Sequence, residues 1–204
     1  MKVLVFGAAG PSGRLVVQRA SAEGHEVSAF VRGPDPIEGA TTIRGDATDP
    51  AAVARALEGR DAVVSTLGLR NAFKSGGLIE RSMSAIVPAM EGAGARRLVV
   101  MSALGVGSTR EQAPWFPRLM YRVLLSDIFA DKAAGERIVE ASGLDWTIVY
   151  PPLLTDAPAA ASCRAGETLE LSGMPKVSRA DVARFMVAAL GSAQWSRKRV
   201  IVAL

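Results

Sequence analysis

Three glycines open the chain's chemistry. Gly7, Gly10 and Gly13 stand in Gly7-Ala8-Ala9-Gly10-Pro11-Ser12-Gly13, directly after the apolar run Val3–Phe6 and at the start of a helical pattern. In that context Gly7 permits a tight turn and Gly10 lets the backbone approach a pyrophosphate. Gly13 lets the helix pack closely on the sheet, so its free N–H groups point at the anion. No Gly-Lys-Ser/Thr follows, which excludes a mononucleotide P-loop.

A second residue type narrows the ligand. The next apolar run, Glu26–Val31, is followed by Arg32, where an NAD site places a carboxylate for the ribose 2′-hydroxyl. A guanidinium there suits a 2′-phosphate through charge-assisted hydrogen bonds, and Arg14 follows Gly13 closely enough to approach from the other side. The expected cofactor is therefore NADPH rather than NADH.

Strands and helices must alternate to position these groups. Strands are expected at Val3–Phe6, Glu26–Val31, Thr41–Arg44, Asp61–Ser65, Arg97–Met101, Trp146–Val149 and Arg199–Val202. Helices are expected over Ser12–Glu23 and over Pro50–Leu57, the latter with Asp49 as N-cap. Ile79, Met83, Ile86, Val87 and Met90 mark a further helix containing Pro88. Trp115 to Glu140 reads as one helix or two, with Gly143 as a stop, and Ser178 caps a last helix through Leu190. Residues 151–176, rich in Ala, Pro and Gly, read as mostly loop on the substrate side. The pattern predicts one α/β domain over 1–204, a doubly wound parallel sheet with helices on both faces.

Composition removes other classes. The 204 residues are 49% hydrophobic and 22% charged with a net charge of +4, which fits one globular domain without a basic run. Aromatics at 5% leave few platforms for stacking bases, so no nucleic-acid partner is expected. Cys163 and His25 stand alone of their kinds, which excludes an internal disulfide and a zinc set. No segment reads as a signal peptide or membrane span, and the expected location is cytoplasmic.

Further residues carry a resemblance along nearly the whole chain. They are Val31-Arg32, Gly45-Asp46-Ala47-Thr48-Asp49, Ser65-Thr66-Leu67-Gly68, Val100-Met101-Ser102-Ala103 and Ala141-Ser142-Gly143-Leu144-Asp145-Trp146-Thr147, leading to Tyr150-Pro151-Pro152. Their order and spacing resemble the NmrA-like, NAD(P)-binding branch of the atypical short-chain dehydrogenases/reductases. Leu67-Gly68-Leu69-Arg70-Asn71 and Pro151-Pro152 bring the biliverdin-IXβ reductase/flavin reductase group nearest. The resemblance implies a Rossmann fold in which the turn from Gly7 through Ala9, Pro11 and Ser12 to Arg14 holds the pyrophosphate. It also implies that Arg32 meets the 2′-phosphate and Asp46-Ala47 the adenine edge. Thr66, Leu67 and Gly68 would line the central riboses, Ser102 would stand near the nicotinamide, Lys132 would reach its ribose, and Leu153 would lie beside the cofactor.

The chain departs from that pattern at the proton donor. Many short-chain dehydrogenases use a Tyr four residues before the Lys, and here that residue is Ile128. The nearest group carries a His after its Pro-Pro pair, and here Leu153 stands there. A proton would have to come from Ser102, Tyr121, Tyr150 or solvent, so Ser102, Lys132 and Tyr121 are the candidate catalytic residues. Three readings stay open. One is a reductase passing hydride to a flavin, quinone or similar conjugated small molecule, as monomer or homodimer. The second is a non-catalytic NAD(P)H-sensing regulator. The third, an epimerase or dehydratase, is disfavoured by the short segment after the sixth strand.

Overall fold

The computed structural model describes residues 1–68, 74–112, 125–160 and 162–204. Its strands are β1 Lys2–Phe6, β2 Glu26–Val31, β3 Thr41–Arg44, β4 Ala62–Ser65, β5 Arg97–Met101, β6 Asp145–Tyr150, β7 Leu153–Thr155, β8 Arg164–Gly166, β9 Lys176–Ser178 and β10 Lys198–Ala203. Its α-helices are α1 Pro11–Ala22, α2 Pro50–Leu57, α3 Leu78–Ala93, α4 Ser126–Ala141 and α5 Arg179–Leu190. The main sheet runs β3-β2-β1-β4-β5-β6-β10-β8, and β7 pairs with β9 in a small second sheet.

Alternation along each strand decides which helix it holds. Leu4, Phe6, Val63, Leu98, Val100, Ile148 and Ile201 face one side, where α2, α3 and α4 bring Leu57, Ile86, Met90 and Val139. Val3, Val5, Ala29, Val64, Val99, Val149 and Val202 face the other, against Val16 and Val17 of α1 and Val182 and Met186 of α5. Central strands covered on both faces can therefore be almost wholly apolar. The sheet's order reverses at β1, which lies between β2 and β4, and a crevice opens there at the carboxyl ends of the strands.

The expected strands form with shifted boundaries, as do the helices within the described residues; the start of the one expected over Trp115 to Glu140 lies outside them. Asp49 caps α2 by accepting from the Ala51 amide at 2.9 Å, and Ser178 caps α5 by accepting from the Asp181 amide at 3.0 Å. Helix α3 runs through Pro88. Two expectations need correction in part. Residues 151–176 are mostly irregular, as expected, but they also hold the short strands β7 and β8 and lead into β9, which a loop reading misses. The sheet is not wholly parallel, because β8 returns antiparallel to β10. The three-residue length of both strands hides them from any period-2 pattern. The segment is further tied down by the Asp181 carboxylate, which accepts from the Ala160 amide at 3.1 Å.

Helix α3 borrows its cap from a neighbour. Its own N-cap, Gly77, has a left-handed backbone (φ 68°) and no side chain to offer. Asp131 of α4 supplies the acceptors, taking the Ile79 amide at 3.0 Å and the Glu80 amide at 2.9 Å. Asp131→Ala is expected to cost about 1–2 kcal/mol, the usual worth of a cap. Asp131→Asn should cost less, because its amide oxygen still accepts. Urea unfolding of the two variants beside the wild type measures the difference.

Candidate dinucleotide site and strand-end cluster

The glycine turn is shaped by what it touches. Gly7 has φ +76°, and a Cβ there would meet Thr66 Oγ1 at 2.8 Å. Thr66 in turn donates its hydroxyl to the carbonyls of Phe6 and Gly7 at 3.1 and 3.2 Å, tying the end of β4 to the end of β1. A Cβ on Gly13 would collide with the Gly7 carbonyl oxygen. Gly10 is the N-cap of α1 and offers no side-chain cap, while Pro11 occupies the first turn without an N–H. The amides of Ser12 and Gly13 therefore open the helix without intrahelical acceptors.

One cleft gathers most of the residues expected around a dinucleotide. Gly7, Ala9 and Gly10 form its floor, Arg32 and Asp46-Ala47 one end, and Thr66, Leu67 and Gly68 the other flank. Phe30, Gly45 and Leu78 also line it and were not expected from sequence. The Phe30 ring packs on Phe6 with centroids 4.9 Å apart, and a Cβ on Gly45 would collide with that ring. Phe30 thus fixes the loop that carries Asp46.

Asp46 is held ionised. Its Oδ1 accepts from the Thr48 amide and the Thr48 hydroxyl, both at 2.8 Å, and these bonds bring its carboxyl below the usual range. Arg32 and Arg81 act on the same carboxylate from β2's end and from α3. Arg81, whose Nε also donates to the Gly77 carbonyl at 3.3 Å, was missed in the sequence. Its signal there was only a basic residue in an amphipathic helix.

Other expected positions lie apart from this cleft. Arg14 donates Nε to the Ala9 carbonyl at 3.2 Å and lines a separate groove with Gln18 and Glu38. Pro11, Ser12 and Gly13 start α1 behind the turn and do not line the cleft. Leu153, in β7, is 45% exposed and also does not line it. Tyr121, with Leu69-Arg70-Asn71, lies outside the described residues.

Ser102 and Lys132 come together at the end of β5. The Ser102 amide donates to the Val149 carbonyl at 2.7 Å, and its hydroxyl is buried. Ser65 of β4 is in register with Val100, so Ser102 and Leu67 each stand two residues further on, at the same level of neighbouring strands. Lys132, half-buried on α4, reaches the Met101 carbonyl at 3.5 Å, and burial draws its ammonium below the ordinary lysine value. It is not a solvated helix charge.

The group that joins these residues is Glu136, one helical turn after Lys132. Its Oε1 accepts from the Ser102 hydroxyl, and its Oε2 accepts from the Tyr150 hydroxyl at 3.0 Å. Burial raises the Glu136 carboxyl above the usual carboxylate range, against the opposing pull of its two hydroxyl donors and of Lys132. Burial also raises the Tyr150 phenol, and the adjoining carboxylate raises it further. Read along the chain, Glu136 is only one more acid on a charged helix.

Among the described residues no group of three or more His, Cys, Asp and Glu could hold a metal ion, and no helix is long and apolar enough to cross a membrane.

A mostly parallel sheet with a glycine turn at its switch point defines a Rossmann-type dinucleotide-binding domain. Residues 7–193 match the NAD(P)H-binding family, and the chain belongs to it. The atypical short-chain dehydrogenase resemblance holds at that level. The uncharacterized sugar epimerase YhfK of Bacillus subtilis (strain 168) is 28% identical over 200 residues, 93% of this chain and 88% of its own. The solved structure of ChuY, an anaerobillin reductase from Escherichia coli O157:H7, superposes with a TM-score of 0.83 at 23% identity. The match covers 99% of this chain and 96% of ChuY. A short-chain dehydrogenase/reductase from Veillonella parvula DSM 2008, solved in complex with NADP, gives 0.81 at 19% identity, covering 100% and 94%.

Proposed function

We propose that this chain is an NADPH-dependent reductase that delivers hydride to a flavin, quinone or similar conjugated small molecule. The observation that supports the reading is the Ser102–Glu136–Lys132 cluster at the end of β5, the strand beside β4, whose following residues Thr66 to Gly68 line the cleft; the cluster itself does not line it. The residues fit the cofactor: a cradle that a Cβ would fill, free amides at the start of α1, and a cationic end. When bound, the dinucleotide supplies the hydride, and the protein supplies orientation and a dry pocket. The likeness to ChuY, an anaerobillin reductase, supports the class of reaction but no particular acceptor.

Arg32 carries the choice of NADPH. It is exposed at the cleft's end, where its guanidinium can meet a 2′-phosphate bidentately. Asp46 would repel that phosphate, so Arg81 matters as a second cation beside it. The expected preference over NADH is one to two orders of magnitude, as about 1.5–3 kcal/mol for a charged hydrogen bond allows. Arg32→Ala should erase most of it and leave NADH binding nearly unchanged, by calorimetric titration at fixed salt. Equal wild-type affinities for the two dinucleotides would remove the assignment.

Ile128, in the place of the usual Tyr, favours a second reading as a cofactor-sensing regulator without turnover. The loss of dihydronicotinamide absorbance with FMN, menadione or biliverdin separates the two. Tight NADPH binding with no oxidation by any of the three would decide for the sensor.

A further inference from the structure

We propose that Glu136 is the proton source for Ser102, acting as a positioning residue that recharges the Ser102 hydroxyl during acceptor reduction. The inference rests on the reductase reading above and supplies the donor that Ile128 and Leu153 cannot.

The geometry sets the direction of flow. Glu136 is buried, and both its oxygens are engaged, one by Ser102 and one by Tyr150. A protonated carboxyl at this place turns the Ser102 bond around. Its O–H then donates to Ser102 Oγ, and the serine proton is free to point away from the carboxylate. An acceptor that has taken a hydride gains the Ser102 Oγ proton, Oγ takes the Glu136 proton, and the carboxylate regains one from water. No bond other than O–H changes in the protein, and the hydride's electron pair stays on the acceptor.

The surroundings make both states of Glu136 accessible. Burial favours the neutral acid, while the Tyr150 hydroxyl, the Ser102 hydroxyl and the Lys132 ammonium stabilise the anion left behind. Glu140, on the same helix, disfavours that anion, and Arg199 of β10 holds Glu140 through a 2.6 Å ion pair. Asp131 acts on Lys132 from the preceding residue. The turn at Gly107 closes over the carboxylate so tightly that a Cβ there would come within 2.8 Å of Glu136 Oε2. These are the facing groups among the described residues.

Two measurements test the proposal. Infrared titration of the cofactor-free protein should show a protonated-carboxyl band that persists above the ordinary glutamate range and vanishes in Glu136→Gln. Absence of that band overturns the proposal whatever the turnover. In NADPH oxidation with FMN, menadione or biliverdin, the wild-type rate should fall as pH rises through the raised Glu136 pKa. Glu136→Gln should lose that falling limb and about tenfold in rate, a modest general-acid effect because water can still reach Ser102 slowly. NADPH affinity should not change.

Tyr150→Phe guards against misfolding of the first variant. It deletes a donor to the anion, so the falling limb should move to higher pH. A wild type that turns over while Glu136→Gln keeps the same rate and profile sinks the relay alone. A wild type that oxidises no NADPH with any of the three sinks the reductase reading and the relay together.

Discussion

Gly13→Ala is expected to weaken dinucleotide binding on the order of a hundredfold, about 2.7 kcal/mol. The added Cβ would sit on the Gly7 carbonyl oxygen and crowd the Ala8 backbone at 2.8 Å. Both belong to the turn itself, and neither is the far end of a flexible side chain that could swing aside. Relief requires α1 to move off the sheet, carrying the Ser12 and Gly13 amides away from the pyrophosphate. On the proposed reading those amides, with the helix's positive end, are the groups that would hold the anion from the edge of the cleft. Part of the cost falls on the fold, since Val16 and Val17 are fully buried on the same helix. Gly92→Ala is the control. It lies in α3 with nothing within 4 Å of a built Cβ and without a positive φ. Alanine there should stabilise by roughly 0.5–1 kcal/mol, from helix preference alone. Calorimetric titration with NADPH and thermal unfolding of both variants check the pair. Equal affinities for Gly13→Ala and wild type would mean that the ligand does not lie on this turn.

The glycine turn was legible because its constraints are local. Three backbone requirements within seven residues name the residue type directly, and the strand before and helix after confirm them. Strand placement was legible for a similar reason, since strands buried on both faces, such as Ala62–Ser65, read as apolar runs. The Ser102–Glu136–Tyr150 cluster was not. Glu136 sits on a helix rich in charge, and nothing in Asp131-Lys132-Ala133-Ala134-Gly135-Glu136 says which acid turns inward. Contact across 34 residues to Ser102 and 14 to Tyr150 is a product of tertiary packing. Asp131 makes the same point, since nothing near it in sequence marks it as the cap of another helix. Arg14 differs in the opposite sense. Its nearness in sequence to the phosphate turn suggested a contact from the other side of the 2′-phosphate, whereas its Nε donates to the Ala9 carbonyl and it lines a separate groove.

Among the described residues, Arg97 should be the costliest charge to remove. It opens β5 at the amino end of the sheet, away from the cleft, and is 6% exposed. Its Nη2 donates to the Ala189 carbonyl and to Thr147 Oγ1, both at 2.6 Å, and its Nε to the same carbonyl at 3.2 Å. Nη1 reaches the Asp145 carbonyl at 3.0 Å and the Asp145 carboxylate at 3.1 Å. Burial pushes the guanidinium below its ordinary pKa, and Asp145 opposes that shift. The carboxylate is not where the stability lies, because Asp145's side chain is 40% exposed and water screens it. The carbonyls are: one guanidinium joins the end of α5 to the start of β6, and no water replaces it in so closed a place. Arg97→Met keeps the buried stem but removes its bonds to Thr147 Oγ1 and the two carbonyls, of which Ala189's keeps the Ser192 amide at 3.2 Å. Hydrogen bonds to a charged group are worth about 1.5–3 kcal/mol each. A total near 3 kcal/mol should lower the melting temperature by roughly 6–12 °C for a chain of this size. Asp145→Asn should cost under about 1 kcal/mol, as an exposed partner would. NADPH affinity should hold in both variants at temperatures where they are folded. An Asp145→Asn loss as large as that of Arg97→Met would show that the ion pair, rather than the carbonyl network, secures this end of the sheet.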